Sequence, residues 1–584
     1  MGRDYFVLLD GAGSVDRLQA TAPRTTSQAL GMRRVATCGG AMVFASEALP
    51  ILQLPGGGIV IGDLHTRNGS RVEDVTQLAW PATKGAPEVR RYVVECCWGD
   101  YLLLLPTASN GPALSVTRSP SPACDIQCVY ASAGGTGFVT SDASFAVRLG
   151  LHCKRVDFDH LAHRLLYPDL KPRHTGWAGI DELLPGCTLH LGRDRMEVSQ
   201  DWQPWDFVQR EMRQTDPREA AASIRSAVIS VVDAWTAQDA SILLELSGGL
   251  DSSIVGACMK NAQSRVTCST LTTALPGADE RAYAGLVADL LGTELRATQL
   301  DYSHPRFAFP LHRALASPAV GPFQYAVDGI MAREAETIGA TAAYSGAGGD
   351  TVFCYLPSAV PAADAFMAAG LAAGVRTIRD LSLFHQCTYW HAGGLALRKI
   401  FSGPALPHTV DRTWLPLRMP MPEPQRHPWF RTPDDALPGD RKRIYELSTM
   451  QFYRDSAPRG RTRRLRMPLL AQPVVEACLR APSWMWYAGG RNRALARDAF
   501  AEILPTQILM RKSKGTFTSY LGALYRRRKD EILEFLLDGQ LHAHGLLDPD
   551  ALVDFTGHEL PSGDDSFMRL FELCALENWA RQYS

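Results

Sequence analysis

No stretch of the 584-residue chain is apolar for long enough to cross a bilayer, so no membrane span is expected. The N-terminal Met1-Gly2-Arg3-Asp4-Tyr5-Phe6 lacks the apolar core of a secretory signal. Phe6 stands where a myristoylation signal on Gly2 needs Ser or Thr. A cytoplasmic protein is expected. Neither sign of charge is in excess: the formal net charge is −1, which argues against nucleic acid as a partner held by bulk electrostatics. The 13 cysteines are odd in number and scattered. Cys96 and Cys97 are adjacent, and Cys124 and Cys128 have no second pair at zinc-finger spacing. Reduced, mostly buried thiols follow, with neither a disulfide framework nor a cysteine metal site. Nor does any glycine-rich turn end in the Gly-Lys-Ser/Thr of a Walker P-loop.

What is present is apolar residue in quantity, 46% against 21% charged, enough for large cores in more than one domain. The chemistry concentrates in Leu243-Leu244-Glu245-Leu246-Ser247-Gly248-Gly249-Leu250-Asp251-Ser252-Ser253. An apolar strand runs into a Gly-Gly turn and then into an amphipathic segment, Ile254 to Lys260. Such a strand–turn–helix start is a nest for anions: backbone N–H groups converge and the helix dipole adds positive potential. Gly248 and Gly249 allow close approach of phosphate oxygens, and Ser247, Ser252 and Ser253 offer hydroxyl donors. Asp251 repels phosphate, so its expected task is to hold Mg²⁺ that bridges the phosphates.

About 100 residues later, Ala342-Ala343-Tyr344-Ser345-Gly346-Ala347-Gly348-Gly349-Asp350 repeats the theme of short strand, small residues and Asp. Asp350 is the expected second carboxylate on the metal, with Ser345 and Gly346 near the nucleotide. Between them lie a strand over Val266–Thr273, a helix from Asp279 to Leu291 with Asp279 as N-cap and Gly292 as C′, and a third strand near Ala297–Asp301. Asp279-Glu280-Arg281 reads as ordinary helix capping. Strands alternating with helices predict a parallel sheet with ligand bound beyond its C-terminal edge.

The Ser-Gly-Gly-Leu-Asp-Ser loop resembles that of the ATP pyrophosphatases, which split ATP between the α- and β-phosphates. With Ser345 to Asp350, the chain resembles the asparagine synthetase and β-lactam synthetase superfamily. That resemblance implies ATP and Mg²⁺ as cofactors and a nucleotide set of Leu246, Ser247, Gly248, Gly249, Asp251, Ser252, Ser253, Thr273, Ser345 and Gly346. It aligns Lys512-Ser513-Lys514-Gly515 with the family's lysine element, making Lys514 the cation on the α-phosphate and leaving pyrophosphate, catalytic together with Asp251 and Asp350.

The first ~200 residues read as strand-rich. Apolar runs occur at Tyr5–Leu9, Ala41–Ala45, Gly58–Gly62, Tyr101–Leu105 and Phe138–Asp142, with a helix over Asp157–Tyr167 and a late hairpin at Thr188–Leu191 and Met196–Val198 turning through Gly192–Arg195. Gly62-Asp63-Leu64, Trp98-Gly99-Asp100-Tyr101, Ser141-Asp142 and Gly179 to Gly186 resemble the glutaminase domain of asparagine synthetases. That family carries a nucleophilic Cys after Met1 where this chain has Gly2. The expected fold is therefore an α+β, Ntn-hydrolase-like sandwich without glutaminase activity over residues 1–205. It is followed over 206–584 by an α/β ATP-pyrophosphatase domain with a parallel sheet and a helical C-terminal part. Trp202-Gln203-Pro204-Trp205 marks the junction, as a packed, extended connector.

Four further readings concern specificity. Ala347 occupies the position where asparagine synthetases place Glu and β-lactam synthetases Tyr, so the usual proton acceptor is missing; His385 is either a stand-in base or a surface histidine. Arg459 to Arg466 is a dense basic run, either a solvated face or a patch for an anionic peptide or phosphates. Pro416 to Pro433 reads as a mobile substrate-facing loop. Arg466-Met467-Pro468-Leu469-Leu470 followed by Gln472-Pro473-Val474-Val475-Glu476 resembles the lasso peptide cyclases. This implies an ATP-dependent, AMP-forming macrolactam synthetase. It adenylates an Asp or Glu side chain of a precursor peptide, and the peptide's N-terminal amine then closes an isopeptide ring. The partners so implied are the precursor peptide, a leader-peptide-binding protein and a transglutaminase-like leader peptidase. The alternatives are an ammonia-dependent asparagine synthetase, a β-lactam-type synthetase, or a non-catalytic pseudo-synthetase.

Overall fold

The computed structural model describes residues 2–9, 23–79, 85–107, 113–133, 136–192, 196–275, 279–311, 315–402, 408–512, 515, 517–561 and 563–584. Its N-terminal part is built on two six-stranded sheets. One runs in the order Asp181–Glu182, Val129–Ala133, Thr136–Thr140, Tyr5–Leu9, Ala41–Ala45, Arg33–Cys38, and the other in the order Met196–Gln200, Cys187–Leu191, Leu114–Arg118, Tyr101–Pro106, Ile59–Gly62, Ile51–Gln53. All their pairings are antiparallel.

The apolar runs show no polar alternation because both faces of each sheet are covered. Tyr5 and Val7 point into the inter-sheet core with Ile59, Ile61, Leu102, Leu104 and Leu189. Phe6 and Leu8 point the other way, onto Leu161, Leu165 and Leu166 of the helix Phe158–Leu166. On the far side Val60, Leu103 and Leu105 meet Val89 and Val93 of the helix Ala86–Cys96. The result is a four-layer α–β–β–α stack. Asp157 caps its helix through the His160 N–H at 2.9 Å. The late hairpin forms as read, although part of its turn, residues 193–195, lies outside the described residues. The strand expected at Phe138–Asp142 sits two residues earlier, at Thr136–Thr140, and Asp142 instead caps the helix Ala143–Arg148.

The second part opens with the helix Pro217–Thr236, capped by Asp216. A five-stranded, wholly parallel sheet follows, in the order Leu295–Leu300, Arg265–Thr273, Ser241–Glu245, Ala342–Ser345, Arg464–Arg466. The chain lays its first three strands outward in one direction, then returns to the other side of Ser241–Glu245. The direction of winding thus reverses between Ser241–Glu245 and Ala342–Ser345, the place where an open parallel sheet leaves a crevice for ligand. Helices dominate the rest, including Val360–Ala369, Leu371–His385, Tyr389–Phe401, Thr518–Leu537 and Met568–Tyr583.

The two parts are joined by buried charge. Asp63 is ion-paired with Arg3 at 2.8 Å and with Arg464 at 3.5 Å. Asp125 pairs with Arg3 at 3.1 Å and with Arg454. Arg466 bridges Asp100 of the sandwich and Asp239 of the second part, at 3.3 Å each, and lies 4.7 Å from the centre of the Trp235 ring. Burial works against the charge of Asp63, yet Arg3, Arg466, Arg464 and Arg71 hold its carboxyl well below the usual range. At Asp100 burial outweighs Arg466 and its carboxyl is pushed up. Arg459, Arg464 and Arg466 of the basic run are thus neither a solvated face nor a free anion patch. Arg459 is spent on Glu245 at 2.6 Å and Asp328 at 2.7 Å, and Arg464 and Arg466 form the ion-paired joint.

The junction and the Gln472–Glu476 segment serve the same joint. Trp202 Nε1 donates to Glu476 Oε1 at 3.1 Å and Trp205 Nε1 to the Trp429 carbonyl at 2.7 Å. Gln472 donates to the Val94 carbonyl, and Glu476 pairs with Arg67 at 2.6 Å. The proline-dense segment is anchored rather than free. Tyr167 OH donates to the Pro422 carbonyl at 3.0 Å, the Gln425 N–H donates to His163 Nε2 at 2.9 Å, and His427 and Trp429 are buried. Residues 425–428 and 430–432 line a different, interdomain cavity from the one beside Ser247.

Candidate functional site

The opening strand ends at Glu245, and the helix Leu250–Cys258 begins three residues after Ser247. Leu246 extends the sheet by donating its N–H to the Ser269 carbonyl at 2.8 Å. Gly248 then turns with φ +64°, and a Cβ there would meet the Tyr283 Cβ at 2.9 Å and the Glu280 carbonyl at 3.0 Å, so both conformation and space require glycine. Ser252 Oγ accepts from the Ser247 N–H at 3.2 Å and lies 3.1 Å from Ser247 Oγ, which fixes the turn. Ser253 is fully buried and its hydroxyl donates to the Gly249 carbonyl at 2.7 Å, so it stiffens the helix start instead of facing ligand.

The second loop packs against the first with no room to spare. A Cβ on Gly346 would lie 2.4 Å from the Ser252 nitrogen, and one on Gly349 would lie 2.3 Å from Asp251 Cγ. Ser345 Oγ accepts from the Ala347 N–H at 3.3 Å. The carboxylates of Asp251 and Asp350 consequently face one point: Arg493 Nη1 is 2.5 Å from Asp350 Oδ1 and 3.4 Å from both oxygens of Asp251. Two carboxylates converging on one cationic nitrogen are a fit for Mg²⁺, which takes one or two carboxylates together with phosphate oxygens and water. Asp251 is buried and Asp350 half-exposed, so the pair stands between the core and the mouth.

A cavity of about 410 Å³ opens beside this pair. Leu246, Ser247, Asp251, Ser252, Ser345, Gly346 and Asp350 line it, so seven of the residues picked from sequence converge there, with Gly248 and Gly249 forming the turn behind them. Thr273 does not line it; its hydroxyl accepts from the Leu275 N–H at 3.4 Å in the turn after its strand. Lys514 lies outside the described residues. Its neighbours are placed by Glu280, which accepts from Arg511 Nη2 at 2.5 Å and from the Gly515 N–H at 2.7 Å, while Arg511 Nη1 donates to the Gly248 carbonyl at 2.7 Å. Asp279 does turn its carboxylate onto the Arg281 N–H at 3.0 Å, but the N-cap position belongs to Glu280, whose side chain ties the nest to the 511–515 segment.

Sequence reasoning missed Glu280, Arg493 and the strand residues Ser269, Thr270 and Leu271, which line the cavity beside Leu246. Arg493 carries no motif of its own; its signal is a left-handed backbone, φ +50°, visible only in the fold. Ala347 does line the cavity, whereas His385, at the exposed end of its helix, does not. In the sandwich, burial pushes the thiols of Cys38, Cys97, Cys128 and Cys187 up to about 12 and that of Cys124 to about 11, the reverse of what a nucleophile needs.

Comparison with known proteins adds three findings. The asparagine synthase family profile matches residues 223–581. No curated protein matches the chain significantly. Among solved structures, an allosteric regulatory enzyme of purine biosynthesis is similar at 10% identity and a TM-score of 0.23, over 54% of this chain and 83% of that one. Glutamine phosphoribosylpyrophosphate amidotransferase from B. subtilis is similar at 10% identity and a TM-score of 0.21, over 54% and 84%. Overlap at that level carries no weight for the fold or the chemistry.

Proposed function

The chain belongs to the asparagine synthase family, and from that premise we propose that it is an ATP-dependent macrolactam synthetase acting on a precursor peptide. The observation that carries this reading is the cavity at the winding reversal, where Asp251 and Asp350 converge and Ala347 stands in the lining. A carboxylate is a poor acyl donor, and transfer of the AMP moiety converts its oxygen into a leaving group. The substrate carboxylate attacks the α-phosphorus, pyrophosphate departs, and an amine then displaces AMP to give the amide.

The residues divide the work. The Ser247–Asp251 turn presents N–H and hydroxyl groups to phosphate oxygens. Asp251 and Asp350 would hold Mg²⁺, which when bound would neutralise phosphate charge; Arg493, which fills the point between the two carboxylates, would turn off them to make room. Lys514 would supply positive charge for the departing pyrophosphate. The methyl group of Ala347 accepts no proton. That suits a substrate whose amine is delivered in the same molecule, with the acceptor supplied elsewhere.

The test is incubation with ATP, Mg²⁺, the cognate precursor and its leader-processing partners, the leader-binding protein and transglutaminase-like peptidase. Release of AMP and a peptide lighter by one water are expected. ATP–pyrophosphate exchange with free aspartate, and asparagine formed from ammonia, would instead identify an ammonia-dependent asparagine synthetase. No AMP with either substrate would identify a non-catalytic relative.

A further inference from the structure

The helices Leu371–His385 and Tyr389–Phe401 face solvent with the wrong residues for solvent. Of the 19 large hydrophobic side chains exposed among the described residues, nine lie between Met367 and Phe401. They are ordered by the helical repeat. Trp390, Leu397 and Phe401, at i, i+7 and i+11, form one stripe in which Trp390 is 90% and Phe401 83% exposed. Leu371 and Val375, at i and i+4, form another at the start of the preceding helix, with Leu371 74% exposed. The opposite side of the second helix is seated by the buried Ala392 and Ala396, so the stripe is what the packed helix leaves outside.

Charge selects the occupant. The exposed ionised groups of this segment are all cationic, Arg376, Arg398 and Lys399 together with Arg379, which pairs with Asp380 at 3.6 Å. Its two carboxylates are turned inward. Asp364 accepts from the Gly439 N–H and Ser483, and Asp380 accepts from the Gly489 N–H at 3.2 Å. A protein partner that covered this face would itself be apolar and acidic. A helix carrying Trp, Leu and Phe beside Arg and Lys, with no exposed acid, instead has the make-up of one that lies in the headgroup layer of an anionic bilayer. No helix among the described residues is long and apolar enough to cross a membrane, so the contact is along the surface. We propose that the Leu371–Phe401 helices dock the enzyme on anionic lipid, with Trp390, Leu397 and Phe401 inserted and Arg398, which flanks that stripe, on the phosphates.

The experiment is flotation of the full chain with vesicles of phosphatidylcholine alone and of equal parts phosphatidylcholine and phosphatidylglycerol, at low and high salt. Binding to the anionic vesicles only, falling several-fold with salt, is expected. Trp390→Ser/Leu397→Ser/Phe401→Ser abolishes it, and Arg398→Glu weakens it several-fold. Both variants change only exposed side chains, and unchanged circular dichroism and melting confirm that each is folded. Failure to float with either vesicle, or equal flotation of wild type and stripe variant, would overturn the proposal. So would a concentration-dependent dimer that the stripe variant abolishes, which would give the face to a second copy of the chain.

Discussion

Gly349 offers the sharpest test of how the two loops make one site. It is the first residue of the short helix Gly349–Val352, and its backbone conformation is open to alanine, so any effect of Gly349→Ala is steric. The added Cβ would stand 2.3 Å from Asp251 Cγ, 2.4 Å from its Cβ and 2.7 Å from its Oδ1. Carbon atoms in contact sit about 3.5–4.0 Å apart, so the Asp251 carboxylate has to retreat by about 1 Å or more. That carboxylate is the one that shares Arg493 with Asp350, so its displacement disturbs the shared point. A displacement of that size at a reacting centre costs on the order of 100-fold in rate. Stability changes less: overpacking costs about 1–3 kcal/mol, and alanine in place of glycine in a helix returns up to about 1 kcal/mol. The assay is ATP–pyrophosphate exchange as a function of Mg²⁺, beside thermal melting. kcat/KM is expected to fall about 100-fold, with a raised Mg²⁺ requirement and a modest loss in Tm. Gly292→Ala is the control. There φ is +63° with nothing within 4 Å of the new Cβ, so it costs about 1 kcal/mol of stability and leaves exchange untouched. Wild-type exchange in Gly349→Ala, or an equal loss in Gly292→Ala, would refute the shared-point geometry.

Three further outcomes are expected. Glu280→Gln removes the charge that holds Arg511 and Gly515 beside Gly248 and leaves the Arg511 guanidinium buried without its carboxylate; Tm should fall by the equivalent of about 3–5 kcal/mol, and kcat/KM should fall as well. Arg466→Met leaves Asp100 and Asp239 buried without their shared cation and should cost about 3–5 kcal/mol in denaturant titration, partly restored by adding Asp239→Asn. His65, His163 and His427 are buried and pushed down to about 4, 4 and 3, chiefly by burial. Each must stay neutral in the fold while the unfolded chain protonates it near pH 6.5. Stability is therefore full above pH 6.5 and falls by about 1.5 kcal/mol per histidine between pH 6.5 and 5. A flat Tm across that interval would contradict it.

The strand–turn–helix start at Ser247 was legible because everything it needs is local. Strand, Gly-Gly turn and helix start follow one another within a dozen residues, and the left-handed turn at Gly248 has a direct residue signature. Gly346 and Gly349 were legible as a pattern, but the reason for them was not. Each is small because Ser252 or Asp251, about 95 residues earlier, lies against it. Arg493 reaches Asp251 and Asp350 from 242 and 143 residues away, a distance no local pattern spans. The Arg459–Arg466 run shows the limit most clearly. Its sign was plain, but its partners Asp63, Asp100, Asp239, Glu245 and Asp328 are single acids scattered over the chain. Without them an ion-paired joint reads the same as an open basic patch.

What the chain determined by itself is the local chemistry: an apolar strand that buries, glycines that turn, and hydroxyls and an aspartate at a helix start. These follow from covalent geometry and side-chain type, which need no distant neighbour. The tertiary structure decided which of those groups meet. The parallel sheet places the ends of Ser241–Glu245 and Ala342–Ser345 side by side, and that adjacency turns two separate aspartates into one cation-facing pair. It also sorts like from like. Ser253 and Thr273 have hydroxyls as good as those of Ser247 and Ser252, but packing assigns theirs to the backbone and leaves the others on the cavity.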